Sequence, residues 1–365
     1  MNWADFRLSK RLALSATDAE TVFSAIAEID AVKKVWRITD TLIPQTIERL
    51  TQSVIVTSAG ASNRIEGNRL TDAQVEALYR NMHIKKFKTR DEQEVAGYIE
   101  VLQTIFTDFD AIPVKESTIL QMHRDMLRHS DKDRGHLGQY KFGPSRVEAK
   151  DQSGNLVGII FDPTPPHLTP KEVHELCDWY NWATEAKFKH PLILTANFLF
   201  EYLAIHPFQD GNGRTSRLLT NLMLLRQGYD FAKVVSHERL VEDNKVDYYL
   251  ALNKTQSTRK SDAENMTPWL TFFFAIMRLQ AQKALALLEG DRIEDTLSEK
   301  QLALWQWANG LADKTFTRKM AVEALGFPPR TIEAIIKKLV DLKRLDRTGE
   351  SRATRYRVKD RVKAP

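Results

Sequence analysis

The sequence has a single cysteine and no long apolar run. Because Cys177 has no second cysteine to pair with, an internal disulfide is excluded, and we expect a reducing, cytoplasmic setting with Cys177 as a packing residue. The apolar run at 270–277 is well short of the roughly 18 residues that a membrane span needs. Residues 1–10 also lack the apolar stretch of a secretory signal. We therefore expect no membrane partner.

The sequence also lacks a strong overall charge, but its basic residues are concentrated at one end. The chain of 365 residues carries a net charge of +5. Residues 314–365 contain fifteen Lys and Arg against six Asp and Glu, a net +9, which leaves −4 for the first 313 residues. A basic surface is thus predicted for the C-terminal part alone.

Apolar residues recur at helical spacing through most of the chain. The clearest segments are 18–59, interrupted at Pro44, then 114–129, 170–186, 191–205 and 267–289. Residues 191–205 are apolar on nearly every side, with Pro191 in the first turn, which predicts a helix at the centre of a bundle. The pattern predicts a mainly α protein.

Residues 138–168 are the exception to the helical pattern. β-Branched residues flank a Ser-Gly-Asn turn, and Pro163, Pro165 and Pro166 end the extended segment. We predict a β-hairpin here. An exposed edge of it could bind a partner segment by strand addition, although an ordinary surface hairpin would have the same sequence.

The string HPFQDGNGRTSR at 206–217 combines residue types suited to a nucleotide phosphate. Gly211 and Gly213 allow backbone N–H groups to approach an anion, and the apolar residues after them predict that the string opens a helix. Arg214 and Arg217 share a face of its first turn. Asp210 suits Mg²⁺, and His206 is the residue of the string that can exchange a proton near neutral pH. A glycine-rich helix start without a ligand is the alternative interpretation.

This string resembles the full Fic family signature, HPFx[D/E]GN[G/K]RxxR, at every specified position. The resemblance implies a Fic-type helical bundle with a hairpin flap, and transfer of AMP from ATP to a Ser, Thr or Tyr hydroxyl of a target protein or of the enzyme itself. It implies that His206 is the catalytic base and that Asp210 holds Mg²⁺. The phosphates would bind Gly211, Asn212, Gly213 and Arg214, with Arg217 on the γ phosphate. Transfer of a different phosphate-containing group is the weaker alternative.

A second string, SNRIEG at 62–67, is similar to the inhibitory motif [S/T]xxxE[G/N] of Fic proteins that carry an N-terminal inhibitory helix. Ser62 and Glu66 are four residues apart, which places both on one helix face, and Gly67 predicts the helix end. The resemblance implies that Glu66 pairs with Arg217 and blocks the γ phosphate. Glu66 could instead be a solvated charge, or could position water for removal of AMP.

Two further features extend the interpretation. Tyr249 lies in a predicted helix where Fic proteins contact the nucleotide base, although a tyrosine on an amphipathic helix is also typical of a core. Residues 298–365 predict helix, helix, turn, helix and a basic hairpin, a winged helix-turn-helix pattern. Its basic residues are Arg330, Lys337, Lys338, Arg352, Arg355 and Arg357.

The predicted domains are therefore an N-terminal helical region with the inhibitory helix at 1–112, a Fic core at 113–290, and a winged-helix module at 298–365. The module could bind DNA, or it could bind protein as a target-recognition or homodimerisation unit. A DNA-binding regulator that uses the Fic core as a nucleotide sensor remains the competing function.

Overall fold

The structure is a computed structural model that describes residues 2–38, 44–82, 86–143, 147–150, 156–161, 163–290, 298–341, 344–349 and 354–359. The chain divides into two compact units. The core unit comprises residues 1–33 and 51–282, and the C-terminal unit comprises residues 34–50 and 283–365. Within the described residues, no helix is long and apolar enough to cross a membrane.

Helices dominate the chain, as the sequence predicts. From the N-terminus to the end of the core unit they are α1 (Arg7–Lys10), α2 (Ala16–Ile38), α3 (Pro44–Ile65), α4 (Asp72–Asn81), α5 (Arg90–Asp108), α6 (Glu116–Met126), α7 (Thr169–Glu185), α8 (Pro191–Ile205), α9 (Asn212–Arg226), α10 (His237–Asp243), α11 (Lys245–Gln256) and α12 (Thr267–Gly290). The domain boundaries predicted from the sequence at 112 and 113 fall inside the core unit and remain predictions.

The helix α8 is the centre of the core unit. Its residues 192–205 are all buried, which explains why it is apolar on every side. It packs against α7 on one side and α9 on another, while α5 and α6 pack against each other and against α9. At the start of α4, Thr71 and Gln74 form a capping box.

The predicted hairpin is present but shorter than expected. Strands β1 (Val147–Lys150) and β2 (Leu156–Phe161) pair antiparallel with irregular register, and the turn at 151–155 lies outside the described residues. Residues 138–143 were expected to be extended hairpin, and that expectation is wrong. The N–H of Gly138 donates to His123 and the N–H of Lys141 donates to Pro207, so this stretch packs on the motif loop.

The C-terminal unit has its own core and a three-stranded sheet. It contains α13 (Glu299–Asn309), β3 (Thr315–Phe316), α14 (Arg318–Leu325), α15 (Pro329–Asp341), β4 (Leu345–Thr348) and β5 (Arg355–Val358). The strand order is β3-β5-β4, all antiparallel. Leu304, Phe316, Ile332, Leu339 and Val358 are among the residues buried together beneath it.

Candidate functional site

The turn between α8 and α9 brings the motif together. Helix α8 ends at His206, which is left-handed with φ 54° and ψ 63°, and α9 begins at Asn212 after Gly211, which has φ +83°. The positive φ favours glycine at position 211, and an added Cβ would also lie 2.8 Å from the flexible end of Met126, at its Cε, which would have to shift. The loop therefore opens a helix, as predicted.

Two side chains fix the loop between those helices. The Asn212 amide accepts from the N–H of Phe208 and donates to its carbonyl, at 2.8 Å each. His123 on α6 stacks on Phe208, with ring centroids 3.7 Å apart, and its Nε2 donates to the Asp210 carbonyl at 3.0 Å. Because the Asn212 side chain is already occupied, we expect any contact of Asn212 with a phosphate to come from its backbone N–H. The first turn of α9 is thus held with its N–H groups in place.

His206 has the tautomer of a general base. Its Nδ1 lies 3.4 Å from the Leu203 carbonyl, which can only accept, so the proton sits on Nδ1 and Nε2 keeps its lone pair. Burial lowers the pKa of His206 to about 4, with the ammonium of Lys141 adding to the effect; Glu66, Asp210 and the Leu203 carbonyl oppose it. The imidazole is therefore neutral at physiological pH.

Asp210 is the carboxylate of the motif. Its Oδ1 accepts from the N–H of Gly211 at 2.6 Å and from Arg214 at 3.0 Å, and its Oδ2 accepts from Arg90 at 3.0 Å. Burial raises the pKa of Asp210, but these donors outweigh burial and the pKa lies below its usual value.

A group of carboxylates surrounds this position. Oxygens of Glu94, Asp133 and Asp210 lie within 4.8 Å of one another. Hard oxygen ligands of this kind suit Mg²⁺. Glu94 is buried and also pairs with Arg90 at 2.7 Å.

The two arginines of the motif are buried beside the helix start. Arg214 is 1% exposed and Arg217 is 3% exposed. Within the described part of the chain, Nε of Arg214 and Nη1 of Arg217 have no hydrogen-bond acceptor. Because a buried guanidinium N–H without an acceptor is costly, these atoms indicate a site built for an anion.

Arg217 is held by the predicted inhibitory motif. Its Nη2 donates to Oε1 of Glu66 at 2.7 Å and to the Ser62 carbonyl at 2.9 Å, and its Nε donates to the Ser62 hydroxyl at 2.8 Å. Ser62 lies on α3, but Glu66 lies in the turn after α3 ends at Ile65, so the two do not share a helix face as expected. Gly67, with φ +98°, closes that turn.

The tyrosines of α11 lie beside this contact. Tyr249 is half-buried, with the Lys245 ammonium 5.9 Å from its ring centroid. Tyr248 is buried, and with Arg217 it lines a small internal cavity. Its ring packs with Trp269 and Phe272, which makes Tyr248 a core residue.

Several residues of the site were not identified from the sequence. Arg90 and Glu94 come from α5, His123 from α6, and Lys141 from the segment before the hairpin. The capping box at Thr89 and Glu92 could have located the start of α5. Nothing local in the sequence indicates which of these side chains reach the motif.

Comparison with known proteins agrees with this geometry. Residues 113–224 match the model of the Fic/DOC family. Over 170 residues the chain is 33% identical to the protein adenylyltransferase Fic of Aedes aegypti, covering 45% of this chain and 31% of that protein. Over 198 residues it is 28% identical to the protein adenylyltransferase Fic of Nematostella vectensis, covering 53% and 41%. The chain thus spans less than half the length of these curated relatives.

Solved structures share the fold. A Fic family protein from Desulfovibrio desulfuricans superposes with a TM-score of 0.61 at 23% identity, covering 96% of this chain and 98% of that chain. Residues 134–508 of Fic-1 from C. elegans superpose with a TM-score of 0.58 at 20% identity, covering 75% and 73%. The mainly helical Fic fold predicted from the sequence is confirmed.

Proposed function

We propose that this chain, which carries a Fic/DOC domain at residues 113–224, is a protein adenylyltransferase that transfers AMP from ATP to a hydroxyl of a target protein and of itself. The observation that carries the proposal is the start of α9, where buried Arg214 and Arg217 keep N–H groups that find no acceptor among the described residues, beside a neutral His206. An anion at a helix N-terminus, next to a base, is what transfer of a phosphate-linked group requires.

The roles follow from the positions of the side chains. The target hydroxyl attacks the α phosphorus, its proton passes to Nε2 of His206, the bond to the β-phosphate oxygen breaks, and pyrophosphate leaves. Backbone N–H groups of Gly211, Asn212 and Gly213, with Arg214, would stabilise the charge on the phosphates. Arg217 would bind the γ phosphate, and Tyr249 would contact the base.

Magnesium fits the donors at this site. Asp210 is ionised and offers Oδ2 once Arg90 moves aside, and carboxylates of Glu94 and Asp133 lie close by. When bound, Mg²⁺ would neutralise charge on the phosphates. Asp210 would hold it, and the neighbouring carboxylates would orient its water ligands.

Glu66 would keep the enzyme inhibited. Its carboxylate pairs with the buried Arg217 guanidinium, the group assigned to the γ phosphate, so the two anions compete for one cation. Removal of AMP by the same site is the alternative direction, with Glu66 positioning water. The hairpin β1–β2 would bind the target by strand addition and align its hydroxyl with His206.

The test uses ATP labelled on either the α or the γ phosphate. We expect the Glu66→Gly variant to label itself from the α position and not from the γ position, and Glu66→Gly with His206→Ala to label itself from neither while still binding ATP. His129→Ala, which removes a histidine that pairs with Glu100, is the matched control and should label normally. Labelling that persists without His206, or ATP binding with no transfer by Glu66→Gly, would contradict the proposal.

We propose a second function, nucleic-acid binding, for the C-terminal unit as a winged helix. Arg330, Lys337 and Lys338 are exposed on α15, and Arg355 and Arg357 are exposed on β5. Arg352 lies outside the described residues. A basic helix beside a basic hairpin suits a DNA backbone. A mobility-shift assay should show duplex DNA binding that weakens steeply with salt; binding to a protein or homodimerisation without DNA binding would be the contrary result.

A further inference from the structure

We propose that Lys141 is a positioning residue for His206, holding the backbone on both sides of the catalytic histidine. The inference rests on the proposed function for the identity of the reaction, but its geometry stands on its own. Lys141 is 3% exposed and lies just before the hairpin. Neither its position in the chain nor its residue type identifies it from the sequence.

Two hydrogen bonds from Lys141 bracket His206. The side-chain Nζ donates to the Ile205 carbonyl at 2.9 Å, and the backbone N–H donates to the Pro207 carbonyl at 2.9 Å. One residue therefore fixes the carbonyl before the histidine and the carbonyl after it. Ile205 is also the last residue of α8, where carbonyls lack helical partners and a cation is favoured by the helix dipole.

His206 needs such support because its backbone is strained. Its φ of 54° and ψ of 63° are left-handed, a conformation that is unfavourable for a non-glycine residue and persists where neighbours enforce it. Its own N–H donates to the Tyr202 carbonyl at 3.0 Å. Without the Lys141 contacts, the histidine backbone could relax and move the imidazole away from the position that the reaction needs.

The charge of Lys141 acts on the same histidine. After burial, the Lys141 ammonium is the largest influence lowering the pKa of His206, while Glu66 and Asp210 act in the opposite direction. The pKa of Lys141 itself is lowered to about 8 by burial and by the charge of Arg259, while the charge of Glu172 acts in the opposite direction. Replacing Lys141 with a neutral residue should therefore raise the pKa of His206.

The experiment compares Lys141→Met and Lys141→Arg, both in the Glu66→Gly background so that inhibition does not enter. Lys233→Met is the control, since it removes a half-buried ammonium, 4.6 Å from the Phe109 ring centroid, that has no contact with His206 in the described residues. The readouts are kcat and KM for ATP, and NMR titration of the His206 Cε1 signal, assigned with a His206→Asn variant. Thermal melting checks that each variant folds.

We expect Lys141→Met to lower kcat roughly 10- to 100-fold, with KM for ATP changed by less than about twofold, and to raise the His206 titration midpoint. Lys141→Arg should restore most of kcat, and Lys233→Met should match the parent. Unchanged kcat and midpoint in Lys141→Met would overturn the proposal, as would equal kcat losses in both Lys141 variants with no shift of the midpoint. If the Glu66→Gly parent itself transfers no AMP, the proposed function fails, while the NMR titration still tests Lys141.

Discussion

The carboxylate of Glu66 occupies the space that a side chain at position 213 would need. A Cβ built on Gly213 would lie 2.1 Å from Oε1 of Glu66 and 3.1 Å from Nη1 of Arg217. Gly213 is in the first turn of α9 and is helical, so its backbone angles do not require glycine. An added Cβ at position 213 would therefore collide first with the Glu66 carboxylate.

This relationship predicts that Gly213→Ala activates the enzyme. The clashing atom is the end of a flexible side chain, so Glu66 can move away from the added methyl and release Arg217. We expect self-labelling with ATP to rise by roughly 5- to 150-fold, the range of a coupling free energy of about 1–3 kcal/mol. Initial rates of the variant and the wild type at saturating ATP and magnesium provide the measurement.

The double variant separates this effect from a change in nucleotide binding. If the methyl acts only through Glu66, then Gly213→Ala should barely change the rate of self-labelling in the Glu66→Gly background, because the two changes remove the same contact. A Gly213→Ala protein as inactive as the wild type, beside an active Glu66→Gly protein, would show that the methyl obstructs the phosphates instead.

Arg90 is predicted to compete with magnesium. It pairs with Oδ2 of Asp210 at 3.0 Å, so a metal at that oxygen must displace the guanidinium. We expect Arg90→Gln to tighten magnesium binding in the presence of ATP about twofold to fivefold, the size of one half-exposed ion pair. Calorimetric titration with Mg²⁺ measures this, with Arg80→Gln, which breaks an exposed pair with Glu76, as control. Weaker magnesium binding by Arg90→Gln would mean that Arg90 supports Asp210 instead.

The sequence was sufficient to predict the secondary structure around the motif wherever the signal is local. The bounds of α8 follow from Pro191 and the apolar run, and the turn at Gly211 follows from the glycine that its positive φ requires. The pairing of Glu66 with Arg217 spans 151 residues, and it was predicted from the family resemblance, not from periodicity. The two side chains are in contact in the structure, although Glu66 lies beyond the helix that was expected to carry it, and their inhibitory role stays a prediction.

The supporting residues could not be predicted, because their roles depend on how helices pack. His123 belongs to neither sequence motif. It reaches the Asp210 carbonyl because α6 packs on α9. Arg90 contacts Asp210 across 120 residues of sequence. Tertiary packing also explains why the hairpin is shorter than expected. Residues 138–143 form hydrogen bonds to His123 and Pro207 instead of pairing as a strand. Tertiary contacts of this kind leave no periodic signal.

Because His123 is buried, we predict that the free energy of unfolding falls in mild acid. Burial lowers its pKa to about 4 from the ordinary histidine value of 6.5, and the hydrogen bond to the Asp210 carbonyl only partly opposes this. The unfolded chain therefore binds a proton between these pH values that the folded chain does not. Stability is full above about pH 6.5 and falls as the pH approaches 4, by up to about 3 kcal/mol from this residue.

His123→Phe isolates that contribution, because a phenyl ring keeps the stacking on Phe208 but cannot titrate. The variant should be less stable than the wild type near neutral pH, since the N–H of Gly138 loses its acceptor. The difference in the free energy of unfolding between the variant and the wild type should become smaller as the pH falls toward about 5. Urea unfolding at both pH values measures it, and two parallel pH dependences would rule out His123 as the titrating group.

Glu201 is predicted to be the residue whose charge most stabilises the N-terminal segment. It is 1% exposed on α8 and accepts hydrogen bonds from Arg7 and Arg11 of the N-terminal segment and from Arg259 after α11. Burial raises its pKa, but the three arginines outweigh burial and hold the pKa well below the usual value, so Glu201 stays ionised. Glu201→Gln would leave three guanidinium groups with fewer carboxylates, since Glu264 still pairs with Arg7 and Arg11 and Glu172 still pairs with Arg259. We expect a loss of about 3 kcal/mol in the free energy of unfolding. Because the pKa is lowered, this stabilisation is present above the unfolded pKa and is lost only as the pH falls through the lower folded value, so the difference should persist from about pH 8 to about pH 5.

Urea denaturation of Glu201→Gln beside Glu76→Gln, which breaks the exposed pair with Arg80 and should cost less than about 1 kcal/mol, measures the difference. Equal losses in the two variants would mean that the arginines find other partners and that the network does not depend on the buried carboxylate.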